Sequence, residues 1–184
     1  MNYRAGLLTI LFAAIGLLPG CTGCPPTQKP GTNLNPPNMN WFIQDQTSGQ
    51  TIYGQGATFS TNLNVGISDT LIIGVAAQSP DGVTEIKVSG GGHYVCIQTS
   101  TGSYAVIGSG SLNVPSQDVH PSPPQAAYFL ATTVQMPCGG FKTGSPGNIT
   151  VGSDPRAGQS NLTFNASATN ASGQTVNGTL QLGL

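Results

Sequence analysis

The sequence predicts an all-β sandwich, and three observations carry that expectation. Beyond residue 20 the apolar residues alternate with period two and form no amphipathic helical stretch. The chain holds 26 Gly and 14 Pro, which interrupt it too often for long helices. Turn-forming clusters cut the apolar runs into pieces of strand length, the pattern of two packed antiparallel layers.

The elements follow in chain order. Met1 to Arg4 supplies one basic side chain, and Ala5 to Leu18 is an almost unbroken apolar run without charge. A bilayer-spanning helix needs ~20 apolar residues, so this run has the length of a signal-peptide core instead. Pro19 and Gly20 end the helix and leave extended chain for a protease. Residues 1–20 are therefore read as a signal-peptide helix outside the fold. Residues 21–40 contain Pro25, Pro26, Pro30, Pro36 and Pro37 among Asn, Thr and Gly, and bury too little to fold alone; they read as a disordered, semi-extended linker. Residues 41–184 form the sandwich domain, beginning near Trp41.

Within it, Leu71, Ile73, Val75 and Ala77 share one strand face, and Ser79-Pro80-Asp81-Gly82 reads as a turn. Ile86 and Val88 then point inward while Glu85 and Lys87 point outward, which predicts an antiparallel pair with the preceding strand. Gly90-Gly91-Gly92 reads as a flexible turn. Residues 97–127, rich in Gly, Ser and Pro, read as a long loop with one short strand around Tyr104 to Ile107. Tyr128 to Met136 carries apolar groups on both parities, which predicts a strand covered on two sides and stopped by Pro137. Finally Leu162, Phe164, Ala166 and Ala168 point one way, the chain reverses at Asn170 to Gly173, and Val176, Leu180, Leu182 and Leu184 return as the second arm of a hairpin.

Two sets of residues resemble known families. Leu18-Pro19-Gly20-Cys21 resembles the lipobox of bacterial lipoproteins, with Pro19 where Ala, Ser or Thr is more usual. The resemblance implies a diacylglyceryl group on the Cys21 thiol, cleavage before Cys21 and acylation of the new amino group. Two or more acyl chains hold a protein stably on a membrane. An ordinary secretory signal with a cysteine nearby is the other reading. Asp69-Thr70-Leu71 through Val88 resembles the B and C strands of bacterial immunoglobulin-like surface modules, and Leu162 to Leu182, with Ala171-Ser172-Gly173-Gln174 at its turn, resembles their last hairpin. The implied fold is an immunoglobulin-like antiparallel β-sandwich, and such likeness speaks for fold rather than function.

With Cys21 lipidated, Cys24, Cys96 and Cys138 remain. Cys96 and Cys138 lie at the ends of strand-like segments and are the preferred disulfide; Cys24 is then a spare thiol or a second lipid or cross-link site. All three reduced and inert is the alternative.

Charged residues make up only 6% of the chain, about a quarter of the usual ~25%. Beyond residue 20 the cations are Lys29, Lys87, Lys142 and Arg156. Nucleic acid is a poor partner for such a surface.

Candidate chemistry is sparse. The two histidines are His93 and His120, and odd spacing along a strand puts His93 and Cys96 on opposite faces, so no metal site is assigned. No nucleophile motif surrounds any Ser or Cys, no phosphate-loop Lys or helix accompanies Gly90-Gly91-Gly92, and no catalytic residue or cofactor is assigned. The immunoglobulin-like resemblance implies that Asp69, Asp81 or Asp154 could bind calcium; a lone Asp in a turn more often bonds its own backbone. Sequons begin at Asn148, Asn161, Asn165, Asn170 and Asn177 and would matter only in a eukaryotic host. The expectation is a lipid-anchored protein of the cell membrane or outer membrane, facing the periplasm or exterior, and acting as a non-catalytic module that binds protein or polysaccharide. An envelope enzyme or accessory subunit is the alternative.

Overall fold

The computed structural model describes residues 35–100, 103–140, 148–154 and 156–184. The segment expected as a signal peptide and most of the expected linker, with Cys21 and Cys24, lie outside the described residues. The protein is all-β, and no α-helix occurs among the described residues. The described residues form eleven strands: β1 (Asn38–Asp45), β2 (Thr51–Gln55), β3 (Thr58–Asn62), β4 (Thr70–Ser100), β5 (Ser103–Val119), β6 (Gln125–Gln135), β7 (Asn148–Val151), β8 (Ser153–Asp154), β9 (Gly158–Gln159), β10 (Asn161–Asn170) and β11 (Thr175–Gly183). Nine belong to one sheet, with β8 and β9 as a separate two-stranded ribbon.

The sheet runs β2-β1-β4-β10-β11-β3. All its pairings are antiparallel except β3 with β11. Strands β2 and β3, at opposite ends of that order, are joined by a tight turn at Gly56, whose φ of 83° only glycine adopts easily. The path therefore returns toward itself, and the sheet is nearly closed in a barrel-like arrangement.

Strand β4 organises the rest and corrects the first expectation. The segment from Leu71 to Val88 is not a hairpin, because Ser79–Gly82 lies within one continuous strand of 31 residues whose two halves pair with other strands and not with each other. Opposite this bend, Gln78 pairs with Ala127 and Val83 with Gln125, so the four intervening residues of β4 face a single residue of β6. Gly82 has a φ of 85°, and a Cβ there would meet Pro124. Both halves keep the predicted inward faces: Leu71, Ile73, Val75, Ala77 and Ile86 are fully buried and Val88 almost so.

Residues 97–127, expected as a loop with one short strand around Tyr104 to Ile107, instead hold the end of β4, all of β5 and the start of β6. Val83 lies between Gln125 of β6 and Asn170 of β10, and Ile86 lies between Val119 of β5 and Ala168 of β10. Thus β5 and then β6 line one edge of β4 end to end, while β1, β10 and β7 take the other. The return arm is polar because much of it faces solvent: Tyr104 is 59% exposed. Its pairing comes from backbone groups, which hydrophobic periodicity does not report.

Gly90-Gly91-Gly92 also differs from expectation, since these residues lie inside β4 between β10 and β5. A Cβ on Gly90 would fall 2.4 Å from the Phe164 ring, and one on Gly92 would fall 2.0 Å from the carbonyl oxygen of Asn161. Close approach of neighbouring strands, not turn flexibility, explains the glycines.

The fold starts at Asn38, inside the stretch read as linker, and Met39, Trp41 and Ile43 of β1 are buried. Trp41 donates its indole N–H to the Ala57 carbonyl at 2.8 Å, which satisfies its one polar atom. Strand β6 buries Leu130, Thr132 and Val134 on one face. Its other face is covered only in part: Phe129 lies over Gly74 and meets the edge of Phe42, with ring centroids 5.8 Å apart. The terminal hairpin forms as predicted, with Leu162, Phe164, Leu180 and Leu182 buried. The Asn170 carboxamide oxygen accepts the backbone N–H groups of Ser172 and Gln174 at its turn.

A disulfide joins Cys96 and Cys138, whose Cα atoms are 5.6 Å apart. Cys138 lies in a 3-10 turn that donates Gly139 N–H to the Ile67 carbonyl, just ahead of β4, while Cys96 is near the far end of that strand. Residues 70 and 96 would lie about 86 Å apart on a straight strand at ~3.3 Å per residue. Strand β4 therefore doubles back at its bend, and the disulfide fastens one end to the other.

Asp45, at the end of β1, is fully buried. Burial alone would raise its pKa. Hydrogen bonds from the Ser48 hydroxyl and the Thr47 N–H, with Asp69 beside it, outweigh that effect and hold the carboxyl below its ordinary value. A depressed folded pKa contributes stability that is fully present above the unfolded value, near 4, and is lost as pH falls through the folded value. Asp45→Asn should thus cost about 1–3 kcal/mol at pH 7, with the deficit shrinking toward pH 2. Urea unfolding of both proteins at the two pH values measures this; an equal deficit at both would contradict it.

Candidate functional site

Strand β4 turns Glu85 and Lys87 outward, on the face opposite Ile86 and Val88. Register brings Asp118 of β5 directly across from Lys87, and His120 stands one residue beyond the end of β5. Four ionisable side chains thereby meet in a chain of which only 6% of residues are charged. Lys87 Nζ lies 2.7 Å from Glu85 Oε1 and 3.2 Å from Asp118 Oδ2. His120 Nε2 lies 3.1 Å from Asp118 Oδ1 and 3.7 Å from Glu85 Oε1.

The cluster is braced from β10. The Thr169 hydroxyl, across the sheet from Glu85, donates to Glu85 Oε2 at 3.3 Å, which leaves Oε1 turned toward Lys87 and His120. Lys87, first by its hydrogen bond, holds the Glu85 carboxyl below its ordinary value against the opposing effect of burial. Glu85 and then Asp118 in turn hold the Lys87 ammonium above its own. His120 is 65% exposed and Lys87 41%, so solvent reaches the cluster freely.

The histidines are far apart in role. His93 donates from Nε2 to the Ala157 carbonyl at 2.7 Å and packs against Gly158, which fixes the β8–β9 ribbon to β4. Beside it, Ser160 Oγ accepts the Val95 N–H at 2.8 Å and donates to the Gly152 carbonyl. His93 and Cys96 do not combine, since the cysteine is spent in the disulfide.

The acidic residues weighed for calcium stay apart, Asp69 just ahead of β4, Asp81 at the bend of β4 and Asp154 at the end of β8. Asp69 accepts the Gly66 N–H, Asp81 the Ser172 hydroxyl, and Asp154 the Arg156 N–H at 2.7 Å. Two of the three bond backbone within their own turn, as lone turn carboxylates commonly do. Among the described residues, the group of three metal-capable side chains that does assemble is Glu85, Asp118 and His120, whose ligand atoms lie within 4.8 Å of one another. Sequence reading missed it because its members are spread over 35 positions; the outward alternation of Glu85 and Lys87 was the one available signal.

The chain matches no known protein family and no curated protein.

Proposed function

We propose that the protein is a cell-envelope lipoprotein in which Cys21 carries the lipid, a Pro-rich stalk follows, and the β domain acts as a non-catalytic binding or structural module. The observation that carries this reading is the passage from the apolar run Ala5–Leu18 into Pro19-Gly20-Cys21. Among the described residues, His93 is committed to the Ala157 carbonyl and His120 stands in solvent. The finer assignment of an immunoglobulin-like sandwich rests on the β10–β11 hairpin alone, since the Asp69–Val88 segment is one strand rather than two. A surface of Ser, Thr, Asn and Gln suits hydrogen-bonded contact with protein or polysaccharide, and its shortage of cations disfavours nucleic acid.

Replacing Cys21 by serine tests the anchor. The unsubstituted protein should pellet with membranes and Cys21→Ser should appear in the soluble fraction. A variant that still pellets would overturn the assignment.

A further inference from the structure

We propose that Glu85, Asp118 and His120 form a surface site for a first-row divalent metal ion of the zinc class, and that the Lys87 ammonium competes for it. The inference stands apart from the lipid anchor and from any ligand of the domain.

The donor set is one imidazole nitrogen and two carboxylates, a combination that zinc and its neighbours accept. Zinc bonds of about 2.1 Å to such ligands place neighbouring donor atoms about 3.4 Å apart in a tetrahedral shell. His120 Nε2 lies 3.1 Å from one carboxylate oxygen and 3.7 Å from the other, which brackets that spacing before any side chain moves. Two of the donors stand on strands paired in register, and the third follows β5 by one residue. Thr169 bonds the outer oxygen of Glu85, the kind of supporting contact that orients a metal-binding carboxylate.

Lys87 shows that this point attracts positive charge. Its ammonium bonds Glu85 Oε1, the same oxygen that faces His120. It reaches there on a flexible four-carbon stem and is 41% exposed, so it can swing into solvent when a doubly charged ion arrives. An exposed ion pair opposes that displacement only weakly.

The test is calorimetric titration of the purified protein with Zn2+ near pH 7.5, after alkylating any free thiol so that thiols do not contribute. One zinc per chain is expected. His120→Ala and Glu85→Gln should each weaken binding roughly ten-fold or more, whereas Lys87→Ala should tighten it by about five-fold or more. Tightening on removal of Lys87 is the outcome a purely structural salt-bridge network would not produce. In the unsubstituted chain, Zn2+ should shift the ring proton signals of His120 and leave those of His93 in place, a readout that needs no variant to fold. Absence of saturable binding, binding unaffected by His120→Ala, no tightening in Lys87→Ala, or a shift of His93 instead of His120 would each overturn the proposal.

Discussion

Removing the Cys96–Cys138 disulfide, as the double alanine variant, should lower unfolding stability by about 4 kcal/mol, the chain-entropy value for a loop of this size. The bridged residues are 42 positions apart, and the loop between them contains all of β5 and β6. In the unfolded chain the bridge forbids the extended conformations that separate the two ends of the β4–β5–β6 hairpin. In the folded protein it also ties the end of β4 to the turn beside its beginning, against which Gly139 and Met136 donate to Ile67 and Asp69. Both sulfurs are buried, so the variant additionally leaves small vacancies. Denaturant unfolding without reductant, compared with the unsubstituted chain, measures the loss. An unchanged midpoint would mean that the unfolded chain is not restrained by the bridge.

The second large effect is expected for Phe164→Ala, which should cost about 3–5 kcal/mol. Phe164 has no exposed surface and its ring lies directly over Gly90, in the space that a Cβ would otherwise fill. Truncation therefore opens a cavity bounded by backbone on one side, where no side chain of β4 can move in. Phe164→Leu keeps most of the volume and should lose markedly less. Thermal or urea unfolding of the two variants decides it; equal losses would indicate that the ring's shape, rather than the volume it fills, governs the site.

The terminal hairpin was legible because its burial is one-sided, so Leu162, Phe164, Leu180 and Leu182 alternate cleanly with polar residues. The inward faces of both halves of β4 were legible for the same reason. The continuity of β4 was not, because Ser79-Pro80-Asp81-Gly82 has the composition of a hairpin turn and local residues do not say whether the flanking segments pair with each other or with other strands. Strand β5 was hidden because Ser, Gly and Asn on an exposed strand pair through backbone alone. The glycines at 90–92 were misread because their reason lies across the sheet, in the Phe164 ring and the Asn161 carbonyl. The Cys96–Cys138 pairing was legible from the positions of the cysteines beside strands. The charge cluster was half visible, in Glu85 and Lys87, and needed the β4–β5 register to bring in Asp118 and His120.

The long bent strand has a kinetic consequence. Strand β4 hydrogen-bonds to β1, β5, β6, β7 and β10, so its partners extend from Asn38 to Asn170. No run of consecutive residues can close a stable subset without it, and β4 cannot be satisfied until segments from most of the domain have arrived. Such dependence on distant pairings places folding on the order of milliseconds to seconds. It also ties the stability of each strand to that of distant partners, an arrangement that favours cooperative assembly.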